Sequence, residues 1–271
     1  MTTKNITADI AELKETGTKM PVLFIGHGSP MNAIDDNQFS QAWRDAARTV
    51  PVPKAILCIS AHWQTNGTLV TSMEHPRTIH DFYGFPKPLF DVQYSAPGSP
   101  ALARITAESV LTAKILPDKE WGLDHGTWSV LCRMFPGADI PVIQLSLNMT
   151  KGPEYHYELG KELKSLRKRG VLVIGSGNMV HNLGEVVWKD TAFDWAVEFD
   201  DKLKRLISSG EHNSLVNYQN LGPSARLSVP TNEHYLPLLY ILGLREKNDD
   251  LTFFTEKVTL GSMSMRSLRL S

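Results

Sequence analysis

Cysteine is almost missing from this chain of 271 residues, where Cys58 and Cys132 are the only two. Cys58 lies inside the apolar run AILCIS, which argues against a disulfide framework and fits a reducing compartment. Both thiols read as inert core residues. Neither sign of charge is in excess: 28 Lys and Arg against 29 Asp and Glu give a net charge of -1. That balance offers no basic field for nucleic acid, and the densest cationic cluster, Lys164 to Arg169, reads as the end of a helix. A small-molecule partner is expected instead. No uncharged apolar run approaches the roughly 20 residues needed to span a bilayer, and the first nineteen residues lack the apolar stretch of a signal peptide. A soluble, cytoplasmic protein without membrane attachment is expected, as a monomer or small homo-oligomer. There is no internal repeat and no low-complexity tract.

What is present is an alternation of short apolar runs with longer segments of helical period. It predicts an α/β fold, a mostly parallel (mixed) central sheet with helices on both faces. Pro21 to Gly26, Ala55 to Ser60, Val142 to Leu147 and Val171 to Ser176 are apolar at consecutive positions, as strands buried on both faces should be. Helical spacing covers Gln38 to Val50, Pro100 to Leu116, Thr127 to Phe135, Pro153 to Arg169 and Ala192 to Ser208. Glu233 to Leu242 reads as a further, very apolar helix. Thr68 to Ser72 and the tail Leu251 to Ser264 read as extra strands, a hairpin or an edge addition. With 42% hydrophobic residues, the chain can bury one large core, so residues 20–271 are expected to form one domain behind a flexible extension over residues 1–19. The aromatic, Pro-rich stretch from His75 to Pro100 is either a wall or lid of a site or a packed surface excursion.

Histidine recurs where strands should stop. The apolar residues VLFIG lead into His27 and LCISA into His62; His181 follows VLVIGS through a short turn. His125 stands just before a helix that Thr127 could cap, and His234 falls in the first turn of the apolar helix. In an open α/β sheet the C-terminal ends of neighbouring strands converge on one ligand-binding crevice, so His27 and His62 are expected to be neighbours. Gly26, Gly28 and Ser29 leave little bulk there, which would let a metal or substrate approach the backbone. A single histidine is more often structural than ligating; the repeated placement is what points to a metal. His75, His80, His156 and His212 lack it, and the last two read as surface residues.

Three neutral imidazoles on one face of an ion, with open positions left over, suit zinc, iron or copper and do not suit magnesium or calcium. Two histidines would remain for acid-base work, the division that a metal oxygenase or a metal hydrolase needs. A metal-binding protein without turnover is the third alternative.

The ordered motifs HGSP, SAHW, DHGTW, GSGNMVHNL and EHYLP, from about Pro21 to the C-terminal strands, resemble those of the class III extradiol ring-cleavage dioxygenases, in the 4,5-DOPA branch. That resemblance implies one catalytic domain holding one divalent metal ion at the C-terminal strand ends, with His27, His62 and His234 as ligands. It implies catalytic roles beside the ion for His125 and His181, with His181 also matching a fourth ligand described in some members. The implied reaction opens a catechol with O2, L-DOPA giving 4,5-seco-DOPA. Fe(II) is the ion expected for that chemistry; Zn(II), which has no redox chemistry, is the alternative and would suit a zinc hydrolase. Glu233 beside His234 matches the carboxylate of protocatechuate-type relatives, but adjacent residues on a helix diverge by about 100 degrees. Both cannot easily ligate one ion; the resemblance to the 4,5-DOPA branch favours His234 as ligand, and Glu233 is expected to hydrogen-bond behind it or cap the helix. Trp63 could stack on an aromatic substrate or fill the core, and His80, Phe82 and Tyr83 are further candidates for substrate contact.

Overall fold

In the computed structural model, residues 13–15 and 17–271 are described. Most of the expected extension over residues 1–19 lies outside them. Of its described part, Leu13 is buried and Lys19 pairs with Asp249 at 2.5 Å.

Among the described residues ten strands carry the architecture: β1 (Val22–Gly26), β2 (Ala55–Thr65), β3 (Thr68–Thr71), β4 (Ile115–Asp118), β5 (Val142–Asn148), β6 (Val171–Gly177), β7 (Leu251–Phe254), β8 (Val258–Thr259), β9 (Met263–Ser264) and β10 (Ser267–Leu270). Eight form one sheet in the order β4-β3-β5-β2-β6-β1-β10-β7. The four inner strands, β5, β2, β6 and β1, are mutually parallel, while β3 and β10 join them antiparallel. The mixed, mostly parallel sheet read from the sequence is the one observed. Strands β1, β5 and β6 are buried at every residue, because apolar side chains on both faces meet covering helices. One face packs against the helices Pro100–Glu108, Pro153–Glu162, Asp194–Ser209 and Leu236–Gly243, and the other against Gln38–Arg48 and His125–Met134. No helix among the described residues is long and apolar enough to cross a membrane.

Several boundaries differ from the sequence reading. The helix expected over Pro100 to Leu116 stops at Glu108, where the Ser109 hydroxyl donates to the Ile105 carbonyl, and Ile115–Asp118 becomes edge strand β4 beside β3. Pro153 to Arg169 splits at Leu163 into two helices. The apolar helix begins at Leu236, with Pro237 in its first turn. The tail runs past Ser264 into β10, which lies between β1 and β7. Thr68–Thr71 pairs with β4 and β5 and forms no hairpin with β2.

Two buried salt bridges tie distant segments together. Arg167, inside the basic cluster, is fully buried and holds Asp249 through Nη1 at 2.6 Å. Arg266, just before β10, binds Asp200 at 2.6 Å and Asp201 at 2.9 Å, and also contacts Glu256. Such pairs leave a costly unpaired charge when one partner is lost, which pins the C-terminal strands to the helices.

Candidate active site

Strands β1 and β6 run in register, Gly26 beside Gly177, and stop together. His27 continues from β1 by donating its amide to the Gly177 carbonyl at 3.1 Å. Beyond β6 the Asn178 amide donates to the His234 carbonyl at 2.9 Å, drawing the turn before helix Leu236–Gly243 against the same strand end. A Cβ on Gly177 would collide with that carbonyl. Gly28, at φ 59°, turns the chain in the left-handed region favoured by glycine and lies against the Met265 sulfur. The room at Gly26 admits the Met265 backbone, so the small side chain there accommodates this chain itself and no ligand.

His62 was expected just past a strand end; it lies within β2. The β2–β6 ladder ends at Ser60, and the β2–β5 register slips between Ile59 and Gln64. The irregularity re-aims the side chains of this stretch, as bulges do near functional sites. Asp124, and not Thr127, caps helix His125–Met134: its carboxylate accepts from the Thr127 amide at 3.1 Å. Asp124 is held by Ser60 and Gln144, both at 2.7 Å. His125 is thus the first residue of that helix. His181 follows β6 and forms an isolated bridge with Met263.

All five histidines line one cavity of about 780 Å³. The rings of His27, His62 and His234 form a near-equilateral triangle, with centroids 5.1, 5.2 and 5.0 Å apart. One nitrogen from each lies within 4.8 Å of the other two. Their outward nitrogens decide the tautomers. The Ser176 hydroxyl donates to the Gly126 carbonyl and therefore accepts from His27 Nδ1 at 2.9 Å. Glu233 Oε1 accepts from His234 Nδ1 at 3.2 Å, and Asp81 Oδ2 stands 3.5 Å from His62 Nδ1. For His27 and His234 this leaves Nε2 as the lone-pair nitrogen, the ligating form of histidine with its other nitrogen held from behind. His27 Nε2 and His62 Nε2 are 3.2 Å apart, close enough to share one ion. The donor set can hold a metal ion.

Burial, followed by the proximity of the other histidines, pushes His27 and His234 well below the usual imidazole range; burial does the same to His62, against the opposing pull of Asp81. His181 is lowered to about 4 by burial and by His125. Charging any of these four rings would place it in a dry pocket among its neighbours, so His27, His62, His181 and His234 stay neutral and available as ligand or proton acceptor.

The remaining two histidines flank the triangle. His181 stacks on His234, centroids 3.4 Å apart and planes 8° from parallel. His125 lies 3.8 Å from His62 between ring centroids. Asp81 holds His125 twice: Oδ1 accepts its amide at 2.9 Å, and Oδ2 lies 3.0 Å from Nδ1. Burial raises the Asp81 carboxyl, but the hydrogen bonding and charge of His125 together with the charge of His62 outweigh this and keep it below the ordinary carboxylate range. Asp81 escaped the sequence reading. It sits between His80 and Phe82 in a loop without periodicity, and its acidic type in an otherwise aromatic run was the only available signal.

The aromatic stretch is a wall of the cavity, contributing Phe82, Tyr83 and Phe85. His80 instead meets the Val92 carbonyl at 3.0 Å and packs against Trp128. Trp63 is buried and stacks on Trp121 at 5.7 Å, a core residue outside the cavity. Glu233 forms the expected hydrogen bond behind His234 and caps no helix. His156, read as a surface residue, is fully buried, with Nδ1 3.1 Å from the Tyr240 hydroxyl; His212 is half-buried against the Tyr157 hydroxyl.

Residues 21–267 match the family described as the catalytic LigB subunit of aromatic ring-opening dioxygenase. The chain belongs to that family. It is similar to a 4,5-DOPA dioxygenase extradiol of Escherichia coli, 45% identical over 96% of this chain and 98% of the relative. A protein of the same description from Beta vulgaris is 38% identical over 92% of this chain and 95% of the relative. Among solved structures, an uncharacterized protein of Escherichia coli K12 superimposes with a TM-score of 0.82 at 41% identity, covering 93% of this chain and all of that one. This LigB-family chain is accordingly an oxidoreductase of the extradiol dioxygenase type. Family membership assigns the reaction class that the histidines alone left open between oxygenase and hydrolase.

Proposed function

We propose that the chain opens catechols with O2 at a histidine-held Fe(II) ion, with L-DOPA, the compound in its relatives' names, among its substrates and 4,5-seco-DOPA as that product. The observation that carries the reading is the triangle of His27, His62 and His234, one nitrogen of each within 4.8 Å of the others, with His27 and His234 held at Nδ1 by Ser176 and Glu233. These three are the proposed ligands. The rival groupings, His62 with Asp81 and His125 or His181 with Glu233 and His234, would spend carboxylates already engaged with imidazoles. His181 groups with His234 but not with His27 and His62, which supports a role beside the ion over one as fourth ligand.

When bound, Fe(II) supplies the redox contact between a catechol held by its two oxygens and dioxygen. His181, neutral and facing the cavity, accepts a catechol hydroxyl proton at a ring nitrogen and later returns it to an oxygen of the opening ring. His125, fixed at its backbone and Nδ1 by Asp81, directs its other nitrogen to the reacting oxygens and steadies their developing charge. Phe82 and Phe85 help to keep water from the reacting face. The balance is that of a dioxygenase: the ring carbon-carbon bond beside the diol breaks, and both atoms of O2 enter the product. The cytoplasm, where Cys58 and Cys132 remain free thiols as they are here, is the proposed compartment.

Isotope labelling tests the reading. With Fe(II)-loaded protein, catechol and 18O2, the ring-opened product should carry two labelled oxygens by mass spectrometry, before exchange with water. A product that takes oxygen only from water would refute it.

A further inference from the structure

The cavity widens from the histidines to a mouth made of apolar side chains on two facing segments. Tyr83 is 92% exposed, Trp188 75% and Leu183 66%, and all three line the same cavity as the histidines. Large apolar groups held open to solvent around one opening mark a binding surface more than a folding requirement. The volume, about 780 Å³, falls in the range of roughly 300–1,000 Å³ that holds drug-sized ligands and leaves room beyond a single catechol ring.

Among the described residues no cationic side chain, Lys or Arg, lines the cavity, whereas Asp81 does. Cations on the flanking segments do not line it. Arg133, behind the turn Pro30–Ala33, donates to the carbonyls of Asn32 and Asp35 at 3.0 Å each, and Lys87, next to Pro86, is paired with Asp91 at 2.5 Å. Lys189 follows Trp188 in the chain but does not line the cavity. A substrate carboxylate carried away from the metal on a catechol's tail would shed water and meet no cationic side chain along this lining. An alkyl or aryl tail would be covered by Tyr83, Leu183 and Trp188.

We propose that this site selects catechols bearing an uncharged apolar substituent and discriminates against those bearing a carboxylate, so that L-DOPA is turned over as a poorer substrate. The proposal rests on the catechol-cleaving reading above, and Tyr83, Leu183 and Trp188 are its specificity-determining residues.

The test compares kcat/KM of the Fe(II)-loaded protein for 4-propylcatechol, dopamine, dihydrocaffeic acid and L-DOPA. Dihydrocaffeic acid keeps the three-carbon tail of 4-propylcatechol and adds only the carboxylate; dopamine separates the effect of the ammonium group. The expected result is a preference of 4-propylcatechol over dihydrocaffeic acid and L-DOPA on the order of tenfold or more. Leu183→Arg should shrink that ratio by favouring dihydrocaffeic acid, and Trp188→Ala should lower the ratio of 4-propylcatechol to unsubstituted catechol. Both positions are exposed enough to be replaced without disturbing the core. Equal or higher kcat/KM for the carboxylates would overturn the proposal. Calorimetric binding of two uncleavable phenols to the metal-free protein gives a second readout. The cavity should bind 4-propylphenol more tightly than 3-(4-hydroxyphenyl)propionate, and the reverse order would also overturn the proposal. Failure to cleave any catechol would sink the catechol reading, while the phenol pair would still decide the preference of the cavity.

Discussion

Asp81 does its work through His125. Its two oxygens fix the backbone and Nδ1 of that histidine, so replacement by Asn keeps the shape but loses the charge that steadies the ring. Groups of this kind typically contribute 10–100-fold to activity or metal affinity. Asp81→Asn should lower kcat by about that factor while metal content, measured by elemental analysis, stays near that of the parent. An unchanged kcat would remove Asp81 from the site. His181→Phe probes the other flank. It should reduce ring opening by roughly 10²–10⁴-fold, the range for loss of a general acid-base group, with metal still bound; complete loss of metal would instead make His181 a ligand. These two residues differ in how far sequence could reach them. His181 stands a short turn after an apolar strand, where topology sends it to the crevice, whereas Asp81 lies in a loop whose path is set by non-local contacts, among them Ile79 to Leu123 and His80 to Val92.

At the scale of elements, the site depends on β1, β6 and the turn before helix Leu236–Gly243 meeting without side-chain bulk. A methyl group on Gly177 has nowhere to go but into the His234 carbonyl. Overpacking of this sort costs about 1–3 kcal/mol. Gly177→Ala should therefore lower the midpoint of denaturant unfolding and, by displacing His234, weaken metal binding in a competition titration. Parent-like values for both would show that the turn is more pliant than its packing implies. The central strands were legible because continuous apolar runs have one stable setting, a sheet covered on both sides. The bulged continuation of β2 through His62 was not, since it depends on register against two neighbours. Nor was edge strand β4, whose Ile115 and Leu116 extend a helical pattern that Ser109 terminates locally. The set His27, His62 and His234 was reached through family resemblance; the spacing of the residues alone left the division among five histidines open.

For the molecule as a whole, buried neutral histidines link stability to pH. His181 and His156 titrate near 6.5 in an unfolded chain, and burial lowers both to about 4 in the fold. Between those values the unfolded chain binds more protons, so stability falls as pH drops from about 6.5 to about 4 and is fully present above that window. The melting temperature of the metal-free protein should be nearly level above pH 7 and decline below 6.5, less steeply in His156→Gln. A slope of opposite sign would mean that the buried rings are charged. Bound metal should be released by acid over the same direction of pH, because protons compete for the ligating nitrogens. The claim that joins fold, cluster and family is that these histidines hold a redox-active ion for ring opening. The direct measurement is oxygen uptake by apo-protein reconstituted anaerobically with Fe(II) or with Zn(II) and then supplied with a catechol. The account predicts one O2 consumed per catechol opened with Fe(II) and none with Zn(II). No uptake with Fe(II) for any catechol would contradict it.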